Sequence, residues 1–224
     1  RPGRTIRNAP TEHTPMPLTI LFPDSRFTQL DVEREVTGPD TILISPRKDR
    51  FEAIEPGAWE HCDGIVVTRM PIDAAVISHL KRARIVVRHG VGFDTVDIAA
   101  CARAGIAVCN VPDYGTTDVA DAAIAMMLAF ARGVAALDAA LRADLQSGWT
   151  TMHSVTARRL RGAYFGVIGL GRIGTAAALR ARAFGMQVVF YDPYLPNGAD
   201  LALGITRVRT LDALLAAADV VSIH

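Results

Sequence analysis

The stretch Gly169-Leu170-Gly171-Arg172-Ile173-Gly174 constrains this chain more than any other, because it sits between an apolar run, Ala163 to Ile168, and an alanine-rich segment that reads as helix. A second apolar run, Met186 to Tyr191, ends in Asp192, eighteen residues after Gly174. Strand, glycine turn, helix, strand and terminal acid are together what binding a dinucleotide requires. The first glycine permits a tight turn, the second lets backbone approach a pyrophosphate, and the third lets the helix pack closely on the strand. Unpaired N–H groups at Arg172, Ile173 and Gly174, with the positive end of the helix dipole, then face the phosphates. Asp192 accepts hydrogen bonds from ribose hydroxyls and repels a 2′-phosphate, so the expected cofactor is NAD rather than NADP.

The rest of the chain fits two α/β domains. Residues 1–17 contain four prolines and no periodicity, and read as a disordered lead. From Leu18 onward, apolar runs at Leu18–Phe22, Thr41–Ile44, Gly64–Thr68, Arg84–Arg88 and Ile106–Cys109 read as strands, with helices at Asp73–Arg82 and Thr95–Ala104. Alternation of this kind predicts parallel strands with crossover helices over residues 18–111. Asn110 to Gly115 is a break, after which Thr117 is expected to cap a helix running from Asp118 to about Arg132. That helix is apolar on most of its circumference, so it must be buried on most faces, between two domains or against a second copy. A polar connection, Ser147 to Arg161, leads to a strand at Ala163–Gly169. There follow a helix at Arg172–Phe184, a strand at Met186–Asp192, a turn at Pro193–Asp200, a short strand at Ile205–Val208, a helix at Leu211–Ala217 and a strand at Val220–Ile223.

Charge adds exclusions. The 224 residues carry 24 basic and 23 acidic side chains, with no run of Lys and Arg dense enough to grip nucleic acid. The longest apolar stretch, Val119 to Ala131, is interrupted by Asp121 and is too short for a bilayer. Cys62, Cys101 and Cys109 lack metal-ligand spacing and are expected as buried free thiols in the cytoplasm, with no metal site. Arg1 in place of Met, and a stop at His224 directly after a strand, suggest that both ends are cut and that the dinucleotide domain is incomplete.

Several spaced motifs resemble the D-isomer-specific 2-hydroxyacid dehydrogenase family: His89-Gly90-Val91-Gly92-Phe93-Asp94-Thr95-Val96-Asp97, Cys109-Asn110-Val111-Pro112, Val119-Ala120-Asp121, and Gly169 to Gly174 with Asp192. Ala183 to Met186 and Val189 to Leu195 resemble the C-terminal binding protein branch. The resemblance implies a flavodoxin-like N-terminal substrate domain, residues 18–111, and a Rossmann-type NAD-binding domain, residues 112–224, truncated at residue 224. It implies hydride transfer between NAD(H) and a small 2-hydroxy or 2-keto acid, and the apolar surface of the helix Asp118 to Arg132 adds the expectation of a homodimer. The Arg that clamps the substrate, and the His oriented by a Glu that exchanges the proton, are expected after His224, so no catalytic residue is assigned within the chain.

Substrate contacts carry over to Arg88, Val91 and Gly92. For Arg88, a surface charge closing a strand is the competing reading. His224 matches a residue beside the nicotinamide-side loop, where a structural role competes with a cofactor contact. Two departures stand out: Ala123 occupies a position where relatives carry a cofactor-binding Thr, and Val91 one where the C-terminal binding protein branch carries Ser. The alternative function is an NAD-sensing dimeric corepressor-like binding protein. A composition with only two lysines, Lys48 and Lys81, suggests a bacterial source in which corepression is not expected.

Overall fold

The computed structural model describes residues 17–149 and 157–224. The lead expected over residues 1–17 lies outside the described residues except for Pro17, as does part of the polar connection before residue 157. The chain divides into two units between Pro112 and Asp113.

In the first unit five strands, β1 Thr19–Leu21, β2 Ile42–Ile44, β3 Gly64–Val67, β4 Ile85–Arg88 and β5 Ala107–Asn110, form a parallel sheet in the order β2-β1-β3-β4-β5. That is the flavodoxin-like order, with its reversal between β1 and β3. Helices α1 Asp31–Thr37, α2 Pro56–His61, α3 Ala74–His79 and α4 Ile98–Arg103 occupy the crossovers. Asp73 caps α3 by accepting from the Val76 N–H at 3.0 Å, and Asp97 caps α4 by accepting from the Ala100 N–H at 2.8 Å. The expected helix start at Thr95 is corrected to Ile98. The Ile72 N–H donates to the Thr95 carbonyl and Val96 bridges Ile72, so those residues are held extended. Helix α1 has no buried residue, which is why no apolar period announces it.

Trp59, Leu21, Ile65, Val67, Ile72 and Val86 are fully buried and form the core of this unit. Cys62 and Cys101 are buried, but Cys109 is exposed, which corrects the expectation of three buried thiols. It lies on β5, at the edge of the sheet. Burial pushes the Cys62 thiol up to about 11, so it stays protonated and unreactive at neutral pH.

Asp63 ties the start of β1 to the approach of β4. Its carboxylate accepts from the Thr19 N–H at 2.9 Å and from the Arg82 guanidinium at 2.8 and 2.9 Å. The Thr19 N–H first, and Arg82 after it, hold the carboxyl below its usual range. A depressed carboxylate stabilises the fold above its unfolded pKa, about 3.9, and this contribution is lost as pH falls through the folded value. Chemical unfolding at pH 7 and below pH 4 is therefore expected to show acid destabilisation that is smaller in Asp63→Asn. An equal loss in both proteins would refute the role.

The second unit opens with α5 Thr116–Ala131, α6 Val134–Ala143 and α7 Leu145–Gly148. It continues as β6 Tyr164–Ile168, α8 Arg172–Ala183, β7 Gln187–Tyr191, α9 Ala199–Leu203, β8 Thr206–Arg207, α10 Leu211–Ala217 and β9 Val220–Ile223. The four strands are parallel in the order β8-β7-β6-β9. This is one half of the doubly wound sheet plus the first strand of the other, with the reversal between β6 and β9. The expected turn at Pro193–Asp200 is shortened, because left-handed Gly198 starts α9 at Ala199.

One expectation for the long helix is corrected. Gly115, not Thr117, occupies the position before α5, and no side chain caps it. Within the chain, one side of the helix is buried. Ala120, Ile124, Met127 and Ala131 make one buried stripe, and Ala120, Ile124 and Met127 join the core of Phe165, Val167 and Phe190, whereas Val119, Met126 and Phe130 are exposed. Arg180 of α8 pairs with Asp121 of α5 at 2.5 Å. Left-handed Gly133 ends the helix, and α6 leaves at 56° to it. No single helix among the described residues is long and apolar enough to cross a membrane.

Candidate dinucleotide site

The glycine turn joins β6 to α8, and its three glycines meet three different surroundings. Gly169 has a left-handed φ of 86°, and a Cβ there would lie 2.4 Å from the His224 carbonyl oxygen. A Cβ on Gly174 would lie 2.1 Å from the Gly169 carbonyl oxygen, so only glycine lets α8 approach the turn this closely. At Gly171 a Cβ would meet nothing within 4 Å. Packing thus explains the first and third glycines but not the second, which fronts open space where backbone can meet a ligand. Gly171 precedes α8 without a side-chain cap, so the first N–H groups of the helix, at Arg172 and Ile173, are not covered by a capping side chain. This cradle fits a pyrophosphate.

Asp192 directly follows β7 and lies beside the turn. Its Oδ2 accepts from the Leu170 N–H at 2.9 Å and its Oδ1 from the Tyr194 N–H at 2.9 Å. The segment after it is held by a residue that sequence reasoning missed. The Arg207 guanidinium donates to the carbonyls of Asp192 (2.6 Å), Leu195 (2.9 Å) and Pro196 (3.0 Å), and lies 5.8 Å from the Phe190 ring centroid. Nothing in the sequence around Arg207 signals this role, because it depends on β8 pairing with β7. His224 follows β9 on the same edge as Gly169 and Asp192. Its N–H donates to the Ile168 carbonyl at 2.9 Å, and its Nε2 lies 2.9 Å from the Ser222 hydroxyl. Burial lowers the pKa of the ring, so it is neutral at pH 7.

On the first unit, Arg88 ends β4 and leads into the loop through Gly92. Arg88 is half-buried, and its Nε is fully buried with no partner. The guanidinium folds over Gly90, where a Cβ would collide with it. Asn110 holds the loop from β5 by donating to the Val91 carbonyl at 2.7 Å, and the Val111 N–H donates to the Gly90 carbonyl at 3.0 Å. Gly92 is exposed, and so is His89, whose ring centroid lies 6.3 Å from that of Phe27. Arg88, Val91 and Gly92 therefore lie on one short segment of the first unit, and the six cofactor-side residues from Gly169 to Asp192, with His224, lie on one sheet edge of the second. Among the described residues, no group of three or more His, Cys, Asp or Glu is placed to hold a metal.

Residues 124–224 match the family model described as the D-isomer specific 2-hydroxyacid dehydrogenase, NAD binding domain. The chain is 36% identical over 223 residues to C-terminal-binding protein 1 of Caenorhabditis elegans, covering 98% of this chain and 30% of that protein. It is 39% identical over 191 residues to the D-3-phosphoglycerate dehydrogenase of Mycobacterium leprae (strain TN), covering 85% and 33% respectively. Among solved structures it resembles the D-lactate dehydrogenase of Aquifex aeolicus complexed with NAD and lactic acid. The TM-score is 0.79 at 27% identity, over 92% of this chain and 60% of that one. The chain thus spans about a third of the curated relatives it matches. By the family model over residues 124–224 and these relatives together, the chain is similar to the D-isomer-specific 2-hydroxyacid dehydrogenase family.

Proposed function

We propose that the protein is an NAD-dependent oxidoreductase transferring a hydride between NAD(H) and a small 2-hydroxy or 2-keto acid, specific for the D isomer. The observation that carries this is the open space at Gly171, beside a carboxylate at the neighbouring strand end, on the edge where the strand order reverses. The nicotinamide supplies the hydride chemistry when bound. The chain's own residues bind and orient: α8 N–H groups hold the pyrophosphate, Asp192 the ribose, and His224 borders the nicotinamide side. Arg88, with its unpartnered Nε, and the backbone of Val91 and Gly92 face the substrate acid. No residue within 1–224 is assigned the proton exchange or the clamping of the substrate acid, so residues 1–224 alone are expected to turn over no substrate.

The protein is further proposed to work in the cytoplasm, where free thiols persist, and as a homodimer through the exposed side of α5. The second reading, an NAD-sensing dimeric corepressor-like protein, draws on the 36% identity to C-terminal-binding protein 1. NADH oxidation by the full-length protein across a panel of 2-keto acids separates the two: turnover supports the enzyme, and NADH binding with no turnover on any acid supports the second reading.

Cofactor choice gives a quantitative test. NADH is expected to bind more tightly than NADPH. Asp192→Ala is expected to lose a charge-assisted interaction of about 1.5 to 3 kcal/mol, roughly ten- to a hundredfold in NADH affinity. Fluorescence titrations showing equal affinity of the wild type for both nucleotides would refute the assignment.

A further inference from the structure

Resting on the homodimer reading above, we propose that two copies of the chain exchange Trp149, each indole filling an apolar cavity on the second unit of the other copy. The cavity, of about 410 Å³, has Phe130, Leu160, Ala163, Met186 and Val220 in its lining. Ala163, Met186 and Val220 stand at the amino ends of the parallel strands β6, β7 and β9, so the cavity lies on the sheet edge away from the glycine turn and takes no part in the dinucleotide site. Phe130 opens it onto the outer side of α5, where Met126, one turn earlier, is exposed as well. The cavity is thus continuous with the surface assigned to the dimer.

The arm formed by α6 and α7 supplies the matching knob. It leaves α5 at Gly133, directly after the end of that helix which lines the cavity. The arm has almost no core of its own: α6 has no buried residue, and α7 has only Gly148. Its corner is nevertheless tightly built. Asp144 caps α7 by accepting from the Gln146 N–H at 3.0 Å and from the Ser147 hydroxyl at 2.7 Å. Gly148 packs so closely on α6 that a Cβ would lie 2.5 Å from the Ala140 carbonyl oxygen. What this corner presents is Trp149, 73% exposed, together with exposed Val134 and Leu145. An indole held out in water forgoes the burial of about 150–250 Å² that such a side chain otherwise contributes.

Knob and socket occur on the same chain, so one two-fold axis satisfies both at once, as an isologous interface requires. The charges match as well. On the arm, Asp138 is paired with Arg142 at 2.8 Å, which leaves Asp144 as one net negative charge. The cavity lining holds Arg158 and Arg159 against Asp219, one net positive charge. A guanidinium lying over an indole face adds a favourable contact, and Trp and Arg are the side chains that interface centres favour.

Sedimentation velocity on the full-length protein and on two variants at exposed positions, Trp149→Ala and Phe130→Asp, reads the exchange, with circular dichroism to show that both are folded. Each variant alone is expected to dimerise about tenfold or more weakly than the wild type. An equimolar mixture of the two is expected to associate more tightly than either variant by itself, because one intact indole then meets one intact cavity. Side chains that act independently of each other give the mixture an affinity between those of the two variants, and that result overturns the proposal. Fluorescence gives a second readout: the emission removed by Trp149→Phe is expected to be quenched by iodide at dilutions where the wild type is monomeric, and shielded once the dimer forms. Equal quenching in both states overturns the exchange, and shielding in both seats the indole within its own chain and overturns it too. A wild type that stays monomeric at every concentration overturns the homodimer reading and the exchange together, whereas a dimer weakened by neither variant overturns the exchange alone.

Discussion

Gly171→Ala is expected to leave the chain as stable as the wild type, or more stable by about 0.4–1 kcal/mol, and yet to lose NADH binding. Gly174→Ala is expected to lose both. The two glycines differ in what a methyl group would meet: open space at Gly171, whose φ of −75° alanine adopts, and a carbonyl oxygen 2.1 Å away at Gly174. At the second position α8 must move off the turn, a strain costing about 1–3 kcal/mol or more. Thermal melts read the stability, and NADH fluorescence titration reads the site. Unchanged NADH affinity in Gly171→Ala would mean that no ligand backbone approaches there, and would remove the main support for the cofactor site.

Met127→Asp is expected to unfold the second unit, whereas Met126→Asp leaves the fold intact and shifts the assembly toward monomer. Neighbours in sequence, these residues lie on opposite sides of α5: Met127 is 5% exposed within the core and Met126 is 67% exposed. A carboxylate at position 127 is buried without a partner, at a cost of about 3–5 kcal/mol, against typical domain stabilities of roughly 5–15 kcal/mol. Sedimentation velocity on folded Met126→Asp reads the assembly. A dimer as stable as that of the wild type would place the interface away from this side of the helix.

Most of the sheet was legible from local sequence, because each strand is a short apolar run bounded by turn residues. Elements that bury little were not legible. Helix α1 shows this, since Val32 and Val36 are exposed and no period marks them. The start of α4 was misplaced because Thr95 and Val96 are claimed by Ile72, a contact more than twenty residues away. For α5 composition is silent on direction: alanine and methionine are apolar on every side of a helix, so only packing reveals which stripe the chain itself buries. Arg207 was invisible altogether. Its partners are the carbonyls of a loop on another strand, and carbonyls leave no trace in a sequence.

The two hydrogen bonds at Asp192 bear on any attempt to redesign cofactor choice. Each carboxylate oxygen already accepts one backbone N–H, from Leu170 and from Tyr194, and the two oxygens together offer about four lone-pair sites. Room remains for sugar hydroxyls, so the acid can serve ligand and loop at once. An amide cannot. Asn at this position would turn its NH2 toward one of those two backbone donors, leaving donor against donor at either Leu170 or Tyr194. Removing the charge to admit a 2′-phosphate therefore disturbs the glycine turn itself, and a successful exchange of nucleotide preference needs a second substitution that supplies the lost acceptor.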